Sequence, residues 1–304
     1  MDTLQREIEK YLVVCRELKG LSALTLKAYT IDLRQFSAYM AKRDCLSREA
    51  LLLYIDNLHK QYKPQSAKRK IACVKAFYRY MEMEDIIEEN PFRKIQIKYK
   101  MPTRLPKTIP LQYVESILRY AYSALRRAES AYQKEVALRN AVVLELLFST
   151  GMRVSEVSHL QIENIDLKSK SIRILGKGAK ERMMCITNNE IAAMLTQYIT
   201  THHGESAFVF LNRRGNQLSE QSIRNMVNAY ARAANVPLHI TPHMFRHTFA
   251  TTLLEEDVDI RYIQQLLGHS SIVTTQIYTH ISTTKIRNIL EDKHPRNRVE
   301  FCAL

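Results

Sequence analysis

Ser171-Ile172-Arg173-Ile174-Leu175 and Arg182-Met183-Met184-Cys185-Ile186, joined through Gly176-Lys177-Gly178-Ala179-Lys180, mark the place where the period of this chain changes. Both flanks read as short strands and the middle as a tight turn. The stretch therefore predicts a β-hairpin with a lysine at its tip. On either side the periodicity is helical. Leu111 to about Arg126 predicts one helix, and Ala137 to Ser149 a second, strongly apolar and buried. Ser219 to Ala234 returns to helix, and Thr241-Pro242 opens the next, with Thr241 as N-cap and Pro242 at the first helical position. This half of the chain reads as a helical domain with one small antiparallel sheet.

Further upstream the signal is helical throughout. The charged stretch Met1 to Glu7 reads as helix. Ser22 is an N-cap candidate, and Leu26, Tyr29, Leu33, Phe36 and Met40 then fall on one stripe. A second helix is expected from Ser47 to about Leu58. A third begins near Pro64, with Ala67, Ile71, Val74, Tyr78 and Met81 on one face. Its early turns carry Lys68, Arg69, Lys70 and then Lys75, a basic cluster suited to phosphates or a major groove. Asn90-Pro91 closes this block. Arg93, Lys94, Lys98, Lys100, Arg104 and Lys107 follow with no acidic residue among them, interrupted by Pro102 and Pro106, and read as an extended basic linker. The expected division is a helical domain over residues 1–92, a linker over 93–109 and a second domain over 110–304.

Composition narrows the partners. There are 45 Lys and Arg against 31 Asp and Glu in 304 residues, a formal net charge of +14, which attracts nucleic acid, anionic membrane or acidic protein. No apolar stretch is long enough for a membrane span, and the charged N-terminus lacks a signal-peptide core. Cys15, Cys45, Cys73, Cys185 and Cys302 are scattered, odd in number and never spaced as CxxC. They suit a reduced, cytoplasmic protein rather than a disulfide framework or zinc site.

Four segments of the second domain carry chemistry. They are Thr150-Gly151-Met152-Arg153-Val154-Ser155-Glu156, Gly176-Lys177-Gly178, His243-Met244-Phe245-Arg246-His247, and Leu267-Gly268-His269 followed by Tyr278. Each alone has an ordinary structural reading, as a surface arginine, a solvated lysine or a core histidine. Together they supply two guanidinium groups, an ammonium, two imidazoles and a phenol, an inventory for phosphoryl transfer without a metal. Arginine forks match phosphate oxygens, and fixed cations stabilise charge gathering there in the transition state. A phenol with a pKa of about 10 is ionised in only about one molecule per thousand at neutral pH, so it needs a base or strong electrostatic help. The leaving sugar oxygen needs a proton donor.

In this order, Arg, Lys, His-x-x-Arg, His, Tyr, the segments resemble the tyrosine recombinase (integrase) family, most of all its Xer-type members. The resemblance covers nearly the whole chain, and the tail His294-Pro295-Arg296 is similar to Xer-type tails. It implies a SAM-like four-helix N-terminal domain that binds core DNA, an α+β catalytic domain, and site-specific cutting and rejoining of DNA in integration, excision or dimer resolution. By position, Tyr278 would be the nucleophile that forms a 3′-phosphotyrosyl link. Arg153 and Arg246 would clamp the scissile phosphate, and Lys177 would protonate the leaving 5′-oxygen. His243 would be the base or proton shuttle, and His269 would bind a non-bridging oxygen. Glu156, three residues past Arg153, either orients that arginine or faces solvent.

The phosphotyrosyl ester conserves the energy of the broken phosphodiester, so no cofactor is expected. His247 and His280 with His243 and His269 suggest zinc only superficially, because no acidic or cysteine partner stands at metal spacing; His247 reads as a supporting or core residue. Ile286, Ile289 and Leu290 lie at helical spacing near the end of the chain. Such a helix either folds back on its own domain or, as the resemblance implies, docks into a neighbouring subunit within a tetramer on two DNA duplexes. A related recombinase as partner is a further implication. The competing readings are a type IB topoisomerase-like enzyme, a catalytically silent DNA-binding regulator and, more remotely, a metal-dependent nuclease.

Overall fold

A computed structural model of the chain describes residues 2–97, 107–175, 181–201, 206–268 and 283–299. The chain divides into two units, Met1–Arg104 and Leu105–Leu304. The first is built from α1 (Asp2–Glu17), α2 (Ala23–Met40), α3 (Arg48–Gln61) and α4 (Pro64–Met83). Local chemistry sets the starts. The Ser22 hydroxyl accepts from the Thr25 N–H and the Ser47 hydroxyl from the Ala50 N–H, each satisfying an otherwise orphaned donor. Leu33, Phe36 and Met40 of α2 meet Ala67, Ile71, Val74, Tyr78 and Met81 of α4 in one buried cluster.

The expected linker begins differently from its sequence reading. Pro91–Lys94 is a 3-10 turn, and Phe92 and Ile95 are buried in the first unit's core. Arg93 pairs with Glu82 and Lys94 with Glu89. Burying two apolar side chains outweighs the extended preference of a basic, proline-bearing stretch. Lys98, Lys100, Pro102, Arg104 and Pro106 lie outside the described residues.

The second unit packs α5 (Leu111–Arg127), α6 (Ala131–Thr150), the five-residue α7 (Val154–Ser158), α8 (Asn189–Thr201), α9 (Glu220–Ala233), α10 (Pro242–Glu255), α11 (Ile260–Leu267) and α12 (Thr283–Lys293) beside a small sheet. The sheet has the order β1 (Ile165–Asp166), β2 (Ser171–Leu175), β3 (Glu181–Cys185), antiparallel throughout, with Ile172 opposite Met184. The hairpin expected from sequence is present and gains a short third strand. Thr241 occupies the N-cap of α10 but makes no side-chain capping bond there. Among the described residues no helix is long and apolar enough to cross a membrane.

Helix α6 is buried on nearly all sides, yet it carries Glu145 at zero exposure. The tail answers this charge. Beyond α12, Arg296 in the turn Pro295–Arg298 brings its Nε to Glu145 Oε1 at 3.2 Å, and the Tyr122 hydroxyl donates to the same oxygen at 2.6 Å. His294 donates from Nε2 to the Ser149 carbonyl at 2.6 Å and accepts the Arg296 N–H at Nδ1. Burial drives the His294 pKa down to about 4, so its ring is neutral, as that bonding pattern requires. Helix α12 itself lies on its own unit: Leu290 joins the core and Arg287 donates to the Ser169 carbonyl.

Candidate active site

Two glycine turns frame the site. Gly151 ends α6 in the left-handed region (φ +60°), where a Cβ would stand 2.7 Å from Phe249 and 3.0 Å from Leu267. Gly268 ends α11 in the same conformation (φ +62°). Arg246 on α10 fastens the two. Its Nη1 donates to the Gly151 carbonyl at 2.8 Å and its Nη2 to the Leu267 carbonyl, and the residue is 2% exposed. Burial, then the positive charge of Arg153, brings its pKa down to about 10, which leaves it charged at neutral pH.

Arg153 follows the first glycine turn. It caps α7, donating its backbone N–H to Glu156 Oε2 at 2.7 Å and its Nη1 to Oε1 at 2.8 Å. Its Nη2 lies 3.4 Å from the Gly268 carbonyl. The guanidinium is partly exposed while the Glu156 carboxylate is buried. Glu156 thus orients Arg153 rather than facing solvent. Both guanidinium groups reach the chain at Leu267 and Gly268, immediately before His269.

His243 lies one helical turn before His247 on α10, with the rings edge to face at 4.5 Å between centroids. Burial, then Arg246 and Arg153, lowers the His243 pKa, and burial, then His243 and Arg246, lowers that of His247. Both rings are neutral at physiological pH. The His243 residue nonetheless remains exposed at the surface. Lys177, His269, Tyr278 and His280 lie outside the described residues. By sequence, Lys177 falls in the segment joining β2 to β3.

The phage integrase family matches residues 114–285, and its N-terminal SAM-like domain matches residues 8–85. A tyrosine recombinase of Agathobacter rectalis is 48% identical over 306 residues, covering 99% of this chain and all of the relative. The chain belongs to the phage integrase family. It is a tyrosine-type site-specific DNA recombinase; the topoisomerase-like and silent-regulator readings are not favoured. Tyrosine recombinase XerD of Halalkalibacterium halodurans is 33% identical over 97% of this chain and 100% of its own length. Among solved structures, XerH recombinase in a post-cleavage complex with palindromic difH substrate has the same fold, with TM-score 0.68 and 23% identity over 90% of this chain and 81% of that one.

In this recombinase the basic cluster of α4 divides. Lys68 and Arg69 are exposed and Lys75 is half-buried, its ammonium 5.6 Å from the centre of the Phe92 ring. Lys70 is buried. Its ammonium donates to Asp32 Oδ1 at 2.8 Å and to Gln35, while Arg69 also pairs with Asp32. Lys70 therefore clasps α4 to α2 rather than presenting a charge to phosphate. Lys70→Met leaves Asp32, itself fully buried, short of a cation. The expected loss is about 3 kcal/mol of stability in urea unfolding. Lys68→Gln, at an exposed position, should shift the unfolding midpoint far less; equal midpoints for all three proteins would overturn the division.

Proposed function

We propose that this recombinase cuts and rejoins DNA by transesterification at Tyr278, with the six residues in the roles their positions imply. The Tyr278 oxygen attacks phosphorus, the bond from phosphorus to the 5′-oxygen breaks, and the protein holds the 3′-phosphate as a phosphotyrosyl ester. Lys177 gives the leaving 5′-oxygen its proton. His243, neutral beside two guanidinium groups, takes the phenol proton. Arg153 and Arg246 grip the non-bridging oxygens with His269. Attack by a new 5′-hydroxyl reverses the steps on the exchanged strand. The exchange balances without ATP, and no cofactor is assigned.

One observation carries this reading: Arg153 and Arg246 are fixed side by side to the carbonyls of Gly268 and Leu267. Two like charges so placed repel each other, which is why Arg153 lowers the Arg246 pKa. An arrangement that costs energy in the empty protein is repaid when a dianionic transition state sits between the two groups. The test is capture of a detergent-stable protein–DNA adduct in EDTA, using sheared genomic DNA from the source organism and sequencing the trapped ends. Enrichment of one sequence supports the reading. Cleavage that requires a divalent metal and leaves no adduct would sink it.

The first unit is assigned to core-DNA binding through Lys68, Arg69 and Lys75 of α4. The protein is placed in the cytoplasm, working as four copies on two duplexes or beside a related recombinase. In that assembly α12 is the element that passes to a neighbour, so the contacts of Leu290 and Arg287 must be remade there. Phosphate contacts release counterions, so log affinity for duplex DNA should fall linearly with log salt. Each of Lys68→Gln and Lys75→Gln should reduce that slope by about 1. A salt-insensitive complex would count against both contacts.

A further inference from the structure

We propose that Arg182 is a positioning residue of this active site, a third guanidinium, itself buried, that keeps the partly exposed Arg153 available to phosphate. The inference rests on the proposed role of Arg153. Arg182 shares the inward face of β3 with Met184, where an apolar side chain is expected, and its side chain is only 7% exposed. It points at Glu156. Nη1 donates to Oε1 at 2.9 Å and Nη2 to Oε2 at 2.7 Å, a two-pronged pair. Its Cδ and Nη1 also lie 3.3 Å from where a Cβ on Gly268 would stand, so the Arg182 side chain passes beside Gly268 and a side chain at that glycine would crowd it. One residue thus bonds the carboxylate that caps the Arg153 helix and lies beside Gly268. It also stands on the strand that leaves the Lys177 segment.

Charge explains why an arginine is needed. Glu156 accepts four hydrogen bonds, two from Arg153 and two from Arg182, which saturates a carboxylate. Burial pushes the Glu156 pKa up, but the bonds from Arg182 and Arg153 outweigh this and hold it below the usual carboxylate range. The trio carries a net charge of +1. Without Arg182, Glu156 is a buried anion whose remaining cation is Arg153. It would draw that guanidinium into a neutral pair and away from the phosphate. Arg182 occupies the carboxylate so that a single Nη of Arg153 suffices to orient it.

The test uses the full chain and a duplex carrying the site recovered by adduct capture, with single-turnover adduct formation as the readout. Arg182→Gln should slow adduct formation roughly 10- to 100-fold at saturating protein, with DNA affinity little changed. Arg182→Lys should recover only part, because one ammonium cannot serve both carboxylate oxygens. The decisive variant is Glu156→Gln placed in Arg182→Gln. Removing the stranded anion should return at least about tenfold of the lost rate, whereas a packing defect would be worsened by a second change. Thermal melting of each variant separates slow chemistry from unfolding. A rate for Arg182→Gln equal to wild type, or a double variant slower than Arg182→Gln, overturns the proposal and leaves the recombinase reading intact. Absence of any wild-type adduct overturns both.

Discussion

Tyr278→Phe is expected to eliminate the covalent protein–DNA adduct in EDTA while binding to the same DNA persists. The substitution removes one oxygen and keeps the ring, so packing is nearly unchanged. What is lost is the atom proposed to form the bond to phosphorus, and no other residue of the six can make a stable ester in its place. The proposed mechanism explains how a phenol could serve. At neutral pH only about one tyrosine in a thousand is ionised, so attack requires help. Arg246, with a pKa still about 10, and Arg153 supply fixed positive charge. Partial burial and those same arginines lower the His243 pKa, which suits it to the proposed role of accepting the phenol proton. The loss of adduct should reach the detection limit, well over about a thousandfold, as for removal of other covalent nucleophiles. An adduct that survives in Tyr278→Phe would move the nucleophile elsewhere. Adduct formation that is unchanged in His243→Gln would remove that histidine from the proton path.

The elements that could be read from sequence are those set by near neighbours. Ser22, Ser47 and Ser219 cap helices through N–H groups three residues on, and the hairpin follows from alternation about a glycine turn. Helix α6 begins earlier than expected, because apolar residues dominate its centre and draw attention from the capping box of Ser130 and Gln133. Long-range pairing was not legible. Lys68 and Lys70 are indistinguishable as letters, and what separates them is Asp32, on another helix, 38 residues before Lys70. Glu156 could be oriented or solvated until Arg182, 26 residues later, supplied its second cation. A signal for Arg182 did exist: an arginine in register with Met184 on the buried face of a strand. The family order of Arg, Lys, His, Arg, His and Tyr supplies the proposed roles, but not the groups that hold the arginines in place.

The tail shows the same kind of long-range dependence, and its removal should have a large effect on stability. Arg296→Met is expected to cost about 3–5 kcal/mol, a large share of the roughly 5–15 kcal/mol available to a folded domain. Glu145 is fully buried within α6, and Arg296 reaches it from the far end of the chain, 151 residues away. Burial raises the Glu145 pKa even though Arg296 and the Tyr122 hydroxyl pull it down. A carboxyl whose pKa is higher folded than unfolded contributes stability in acid, and that contribution is lost as pH rises through the folded value. Without Arg296 the folded value climbs further, so the deficit of the variant should be smaller in mildly acidic buffer and grow toward alkaline pH. Glu145→Gln in the same chain keeps an acceptor for Tyr122 and removes the charge. It should return more than half of the lost stability and flatten the pH dependence. Urea unfolding of the three proteins at two pH values measures both effects, and a pH-independent deficit, or none, would refute the ion-pair account. The same lock bears on the C-terminal helix. A chain cut before His294 loses Arg296 as well as the tail, so its failure to recombine would report a stranded Glu145 rather than the docking of α12. Substitutions on the helix at Arg287 or Ile289, with the tail left in place, isolate the docking step.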